Sequence, residues 1–200
     1  VENERLRQLL QKRFSFNRYC HSLRVADFAV RLADRHGADE NKAYLAGLLH
    51  DYSRDLPAEK LLSLARQSGM TIHPVEYLVP VLLHAPVGAC LVREETSISD
   101  IEILNSVSLH TVGGTKMTKL DKIIYLADIA EPDRNFQGVE EIRSLALRDL
   151  NQAMIVAFRS TINYILTKET YIHPATIEGY NEILAEINKC SLRLEFRGRE

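Results

Sequence analysis

Apolar residues recur at helical spacing along nearly the whole chain. Val25, Phe28, Ala29 and Leu32 share one stripe, and Leu120 and Ile124 belong to another. Strand-type alternation bounded by hairpin turns is absent, as is any internal repeat, so the pattern predicts an all-α fold. Helices are predicted over Glu2 to Arg13, Arg18 to His36 with a stop at Gly37, Glu40 to Tyr52, and Glu59 to Gln67 with a stop at Gly69. Pro74, Pro80 and Pro86 should cut the middle into short pieces, because proline cannot donate to the helix ladder. Ser99 to Glu102 reads as a capping box opening a helix to about His110, ended by Gly113-Gly114. Thr118 to Asp121 reads as a second box, opening a helix that stops at Glu131 before Pro132. A long helical stretch is predicted from Gly138 to about Lys168, and Pro174 should start the last helix. No stretch reads as a linker, so residues 1–200 are expected to form a single domain.

Composition narrows the function classes. Hydrophobic residues make up 46% and charged residues 26%, ordinary values for a globular protein. A net charge of −2 leaves no basic footprint for nucleic acid, so a polyanionic substrate would have to be neutralised locally. Cys20, Cys90 and Cys190 lie far apart with no CxxC spacing, which predicts reduced, structural thiols and a cytoplasmic setting. No signal-peptide pattern and no bilayer-length apolar run occurs, so no membrane partner is expected. A homodimer is the base-rate expectation for assembly.

The chemistry lies on the apolar stripes. His21 precedes Val25, Phe28, Ala29 and Leu32 by four, seven, eight and eleven residues, which puts it on the core side of its helix. His50 follows Ala43 and Ala46 by the same logic, and Asp51 is its direct neighbour. Asp128 lies four residues after Ile124 and eight after Leu120. An ionised carboxylate facing a core is costly unless it is paired or binds a metal. Two imidazoles and two carboxylates can resolve that cost by sharing a cation, with His50 and Asp51 converging on an ion beyond the end of their helix. This donor set suits iron, manganese, zinc or cobalt and leaves positions for water and substrate.

His84 and His110 each stand at a break in the helical pattern and are candidates for a second metal or for phosphate contacts; the competing reading is two satisfied core histidines. Asp121 is accounted for by its cap, and His36 by the dipole at a helix end. His73 is expected in a solvated loop, Lys122 on a solvent face, and Asp55 orienting a ligand histidine or capping the turn before Pro57.

The runs His50-Asp51-Tyr52-Ser53-Arg54-Asp55-Leu56-Pro57, Leu83-His84-Ala85-Pro86-Val87-Gly88-Ala89 and His110-Thr111-Val112-Gly113, with the block from Lys116 to Val139, resemble the YqeK family of HD-domain metal-dependent phosphohydrolases. The resemblance runs from Arg18 to the Ile172-His173-Pro174 region. It implies a helical HD-domain bundle, extended by helices at both ends, holding one or two metal ions, iron above the others. It also implies symmetrical cleavage of diadenosine tetraphosphate to two ADP by metal-activated water. Carried onto this chain, the metal ligands are His21, His50, Asp51 and Asp128, with His50, Asp51 and Arg134 as the catalytic group. The same resemblance places Arg18, His84, His110, Thr111 and Arg134 against phosphates, and Tyr171, Ile172, His173, Pro174 and Thr176 over the nucleotide. Two alternatives stay open: an HD-type hydrolase of another nucleotide (a mono- or triphosphate, or a cyclic nucleotide), or a nucleotide-sensing module that does not catalyse.

Overall fold

The computed structural model describes residues 2–197, with side chains from Glu4 to Lys189, so the expectation for the Cys190 side chain lies outside the described residues. Eleven α-helices are described, with one 3-10 turn at Pro80–Leu83 and no strand among the described residues. They are α1 (Glu2–Arg13), α2 (Phe16–His36), α3 (Glu40–Leu49), α4 (Ala58–Gln67), α5 (Pro74–Leu78), α6 (His84–Glu95), α7 (Ile101–Leu109), α8 (Lys119–Ala130), α9 (Val139–Ala146), α10 (Leu150–Thr167) and α11 (Pro174–Arg197). No helix among the described residues is long and apolar enough to cross a membrane.

Local chemistry sets most boundaries. Ser15 caps α2 through a bond from Arg18 N, and Gly37 closes it in the left-handed region at φ +61°. Asp39 caps α3. The Thr118–Asp121 box opens α8 as expected, with both reciprocal bonds formed. Other expectations are corrected. Asp100, not Ser99, caps α7, accepting from Glu102 N. Pro86 lies inside the first turn of α6, where its missing N–H is not needed. The stretch from Gly138 to Lys168 is two helices, because the Asp149 side chain accepts from Asn151 N and Gln152 N and starts α10 afresh. His73 is not a solvated loop residue: its ring accepts from Val75 N and caps α5, and Glu76 returns a bond to His73 N.

Helices α2, α3, α7 and α8 pack against one another at the centre. Helix α8 is buried almost all round, through Leu120, Ile123, Ile124, Tyr125, Leu126, Ala127 and Ala130, as befits a helix enclosed by others. One apolar core joins α2, α3 and α8 to α9, α10 and Ile183 of α11. A second joins α1, α4 and α6 to the opposite side of α2, α3 and α7. At the α2–α3 crossing the backbones nearly touch: a Cβ at Gly47 would lie 2.8 Å from Ala26 Cα and 3.0 Å from Ala26 N. This close approach sets the spacing of the residues that follow on the two helices.

Candidate metal centre

Helix ends bring the polar residues together. Helix α3 stops at Leu49, earlier than the pattern predicts, and the chain tightens into i→i+3 turns with Tyr52 N donating to Leu49 O. That tightening turns His50 and Asp51 toward the same point. His110 stands just past α7, His84 opens α6, Asp128 lies in the last turn of α8, and His21 lies in the second turn of α2. His21, His50, Asp51, His84 and His110 are buried, with His50 fully so, and Asp128 is partly open to the cavity.

His21 Nε2 lies 3.2 Å from His50 Nε2 and 3.1 Å from Asp128 Oδ1. His50 Nε2 lies 3.3 Å from Asp51 Oδ2 and 3.7 Å from Asp128 Oδ1. The second pair repeats the arrangement, with His84 Nε2 3.0 Å from His110 Nε2, and with Asp51 Oδ1 at 3.2 Å and 3.6 Å from the two. Asp51 therefore bridges, offering one oxygen to each pair of imidazoles. Thr111 Oγ1 closes the second pair at 3.1 Å and 3.0 Å.

The opposite ring nitrogens decide what these Nε2 atoms can do. Nδ1 of His50, His84 and His110 lies 2.7, 2.5 and 2.7 Å from the carbonyls of Gly47, Val81 and Val107, and that of His21 lies 3.2 Å from Glu131 Oε1. Carbonyls only accept, and an ionised carboxylate does too, so each Nδ1 carries a proton, and in the neutral ring each Nε2 presents a bare lone pair. Facing lone pairs of neutral rings at 3.0–3.2 Å, beside two carboxylates, repel unless a proton or a metal cation lies between them. Ligands bonded at 2.0–2.2 Å are separated by about 3.0 Å in octahedral and about 3.4 Å in tetrahedral geometry. The observed separations fall around those values, so the residues fit a metal ion.

The carboxylates are held ionised and in turn act on His50: burial alone would lower it, but Asp51 and Asp128 raise it, so without a cation the ring favours a proton at the place a metal would take. Burial alone would raise the Asp51 carboxyl, but the imidazoles of His50, His110 and His84 override it and hold it well below the usual range. Asp128 behaves likewise: burial raises it, and His21 and His50 bring it far down. Burial keeps His84 below the usual histidine range, which favours the neutral ring a metal requires.

Asp51, His84, His110, Thr111 and Asp128 line a cavity of about 510 Å³, with His21 and His50 behind them and outside its wall. Arg18, Arg54 and Arg134 also line it, as do Tyr125, Ile129, Phe136, Ser160, Thr161 and Tyr164. Two of the arginines already bind the cluster's carboxylates: Arg18 Nη1 donates to Asp51 Oδ2 at 2.5 Å, and Arg134 Nη2 donates to Asp128 Oδ1 at 2.7 Å. Of the residues read from sequence, His21, His50, Asp51, His84, His110, Thr111, Asp128, Arg18 and Arg134 thus come together. Tyr171, Ile172, His173, Pro174 and Thr176 are not in the cavity wall. Thr176 nevertheless ties the start of α11 to the loop carrying Thr111, through Oγ1 donating to Val112 O at 2.9 Å, and His173 stacks edge-on against His73.

Several expectations for neighbouring residues change. Asp55 neither caps its turn nor orients a histidine; Oδ2 accepts from Ser15 N, and Oδ1 lies 3.7 Å from Arg18 Nε. Lys122 is mostly buried and donates to Asn151 Oδ1 at 2.9 Å. His36 reaches Ala146 O at 2.6 Å. Sequence reasoning missed Glu131, which is buried and touches His21, and Arg143, whose guanidinium donates to the carbonyls of Ala130, Glu131, Pro132 and Arg134 and so pins the loop after Asp128. Their signal was the strongly patterned block around Asp128, but charge pairs across loops leave no periodicity. The cavity residues Tyr125, Phe136, Ser160, Thr161 and Tyr164 left none either.

The HD domain model matches residues 18–133. A Bacillus subtilis protein named symmetrical bis(5'-nucleosyl)-tetraphosphatase is 39% identical over 88% of this chain and 94% of its own length. A protein of the same name from Halalkalibacterium halodurans is 40% identical over 90% of this chain and 95% of its own. A crystal structure from Clostridium acetobutylicum, described as an HD superfamily hydrolase involved in NAD metabolism, superposes with a TM-score of 0.90 at 36% identity, covering 93% of this chain and 98% of that one.

Proposed function

Since the chain belongs to the HD-domain family, and within it to that of the symmetrical bis(5'-nucleosyl)-tetraphosphatases, we propose that it hydrolyses diadenosine tetraphosphate to two ADP. The observation that carries the reading is the bridging of two imidazole pairs by Asp51, which itself lines a cavity shared with three guanidinium groups. His21, His50, Asp51 and Asp128 would hold one cation. His84 and His110, with the other oxygen of Asp51, would hold a second. The second-metal reading of His84 and His110 is favoured over direct phosphate contact, because with Nδ1 on a carbonyl the Nε2 of a neutral ring presents a lone pair and cannot donate to phosphate oxygens, and burial favours the neutral form of His84. A transition metal bound there supplies Lewis acidity and a water of lowered pKa. Nitrogen and oxygen donors accommodate iron, manganese, zinc or cobalt, and iron is the assignment that the family resemblance favours.

The protein's own groups do the rest. Arg18 and Arg134 release their carboxylate partners to the arriving polyphosphate, whose charge matches the fork geometry of guanidinium. Arg54 adds a third cation on the same wall. Held in this way, the inner phosphates lie over the centre, where positioning and charge stabilisation account for most phosphoryl-transfer catalysis. Water attacks one of the two inner phosphorus atoms, the bond between the inner phosphates breaks, and each half leaves as ADP. The apolar part of the cavity wall, Ile129, Phe136 and Tyr164, receives one nucleoside. The segment Tyr171–Thr176 is assigned to the nucleotide by the family resemblance alone; it does not line the cavity, and Thr176 reaches the site only through Val112 O, next to Thr111.

Chromatography of the products tests the reading. Metal-loaded protein should convert diadenosine tetraphosphate to ADP alone, and chelation should abolish the reaction. ATP with AMP, a free nucleoside, or tight binding without cleavage would each refute it.

A further inference from the structure

The four histidines of the centre are not held alike. His50 and His110 stand where α3 and α7 end, and His84 stands where the 3-10 turn ends. Carbonyls at a helix end are open to side-chain donors, and each of these rings takes the carbonyl three residues back, at Gly47, Val107 and Val81, the last of which also accepts from His84 N. His21 has no such choice. It lies inside α2, where the backbone carbonyls are committed to the helix ladder, and its Nδ1 turns outward to a side chain from the loop after α8. That side chain is Glu131, 2% exposed, with Oε1 at 3.2 Å from His21 Nδ1. Its other oxygen is fixed by Arg24 Nε at 2.9 Å and Asp133 N at 2.8 Å, and Arg143 holds its carbonyl. The ring therefore has an anionic acceptor where the other three have neutral ones. A carboxylate on the far nitrogen fixes the tautomer and makes the metal-facing nitrogen a stronger donor.

From this asymmetry we infer that Glu131 is a positioning residue that acts through His21 and makes the His21–His50 half of the centre electronically distinct from the His84–His110 half. The two cations of the proposed centre are then inequivalent: removing the charge of Glu131 weakens one and spares the other. The inference rests on the metal reading above and adds to it a residue that touches neither metal nor substrate.

The test is titration of the metal-free full chain with Co²⁺ against a chromophoric competitor, following the cobalt absorption bands. Glu131→Gln keeps the side chain's size and an acceptor oxygen but loses the charge. Arg24 retains Asp133 Oδ2 at 3.2 Å, so its guanidinium keeps a partner in this variant. The expected result is a loss of about 10- to 100-fold in affinity at one site, the usual effect of losing such a partner. The other site and its absorption bands should stay unchanged. Glu131→Asp, which keeps the charge but pulls it back by one methylene, should show the same selective loss and serves if the glutamine variant does not fold. In a His21→Ala background the Glu131→Gln effect should vanish, since the ring that transmits it is gone. Unchanged affinity at both sites, equal loss at both, or full additivity with His21→Ala would overturn the inference. Wild-type protein that takes up no Co²⁺ would overturn the metal reading itself.

Discussion

Gly47→Ala tests whether helix packing sets the geometry of the centre. The new methyl would sit 2.8 Å from Ala26 Cα and 3.0 Å from Ala26 N, both backbone atoms of α2. Carbon atoms prefer separations of about 3.5–4.0 Å, so α2 and α3 must part locally by about 0.7 Å or more. His21 rides on α2, five residues before Ala26, and His50 follows Gly47 by three residues and bonds its carbonyl. The 3.2 Å between their Nε2 atoms opens accordingly. Metal–ligand distances tolerate only about 0.2 Å, so one of the two imidazoles leaves the ion's reach. Overpacking costs about 1–3 kcal/mol, and replacing a helical glycine by alanine returns about 0.8–1 kcal/mol, so the net loss is at most about 2 kcal/mol. Thermal denaturation of the metal-free chain should show a fall in Tm of no more than about 8 °C. Metal affinity, measured by competition titration, should fall at least about 10-fold, out of proportion to the stability change. Gly69→Ala is the control: its φ of +69° makes alanine unfavourable, but nothing lies within 4 Å and the site is remote from the cavity wall. It should lower Tm and leave metal affinity unchanged. A Gly47→Ala protein that binds metal as tightly as wild type would refute the claim that this contact sets the ligand spacing.

Arg134→Ala should lower kcat/KM by about 10- to 100-fold with metal content retained, the worth of a charge-assisted phosphate contact; loss of metal instead would place Arg134 in support of Asp128. Tyr164→Ala should weaken ADP binding by about 1–3 kcal/mol, the value of a base–aromatic stack, with pyrophosphate binding unchanged in the same calorimeter. Burial pushes the Tyr125 phenol up to about 12. Since the unfolded phenol ionises near 10, the neutral folded form contributes its stability fully below about pH 10 and loses it as pH rises toward 12. The predicted loss is about 3 kcal/mol. Absorbance titration of Tyr125→Phe should lack one late-ionising phenol, and the variant should lose less stability between pH 10 and 12; identical profiles would contradict the assignment.

The fold was legible wherever a local rule operated. The stripe through His21, the Thr118–Asp121 box, the stop at Gly37 and the start at Pro174 all follow from side chains that act on their own neighbourhood. The break at Asp149 was hidden because both flanking segments keep a helical period, and only the cap separates them. The convergence of His21, His50, Asp51 and Asp128 was legible for a physical reason: polar side chains on buried faces need one another. His84 and His110 could be flagged but not resolved, since the tautomer that separates a metal ligand from a phosphate donor depends on the Val81 and Val107 carbonyls. Glu131 and the cavity wall from α10 depend on contacts across more than a hundred and more than twenty residues respectively, as in Glu131 with His21 and Thr161 with Tyr125, and no spacing rule reaches that far.

Diffraction from crystals of the metal-loaded chain, with anomalous differences collected across the metal's absorption edge, probes the four-ligand cation most directly. The account predicts a peak within about 2.0–2.2 Å of His21 Nε2, His50 Nε2 and one oxygen each of Asp51 and Asp128. A peak bound elsewhere, or none at full metal loading, would contradict it.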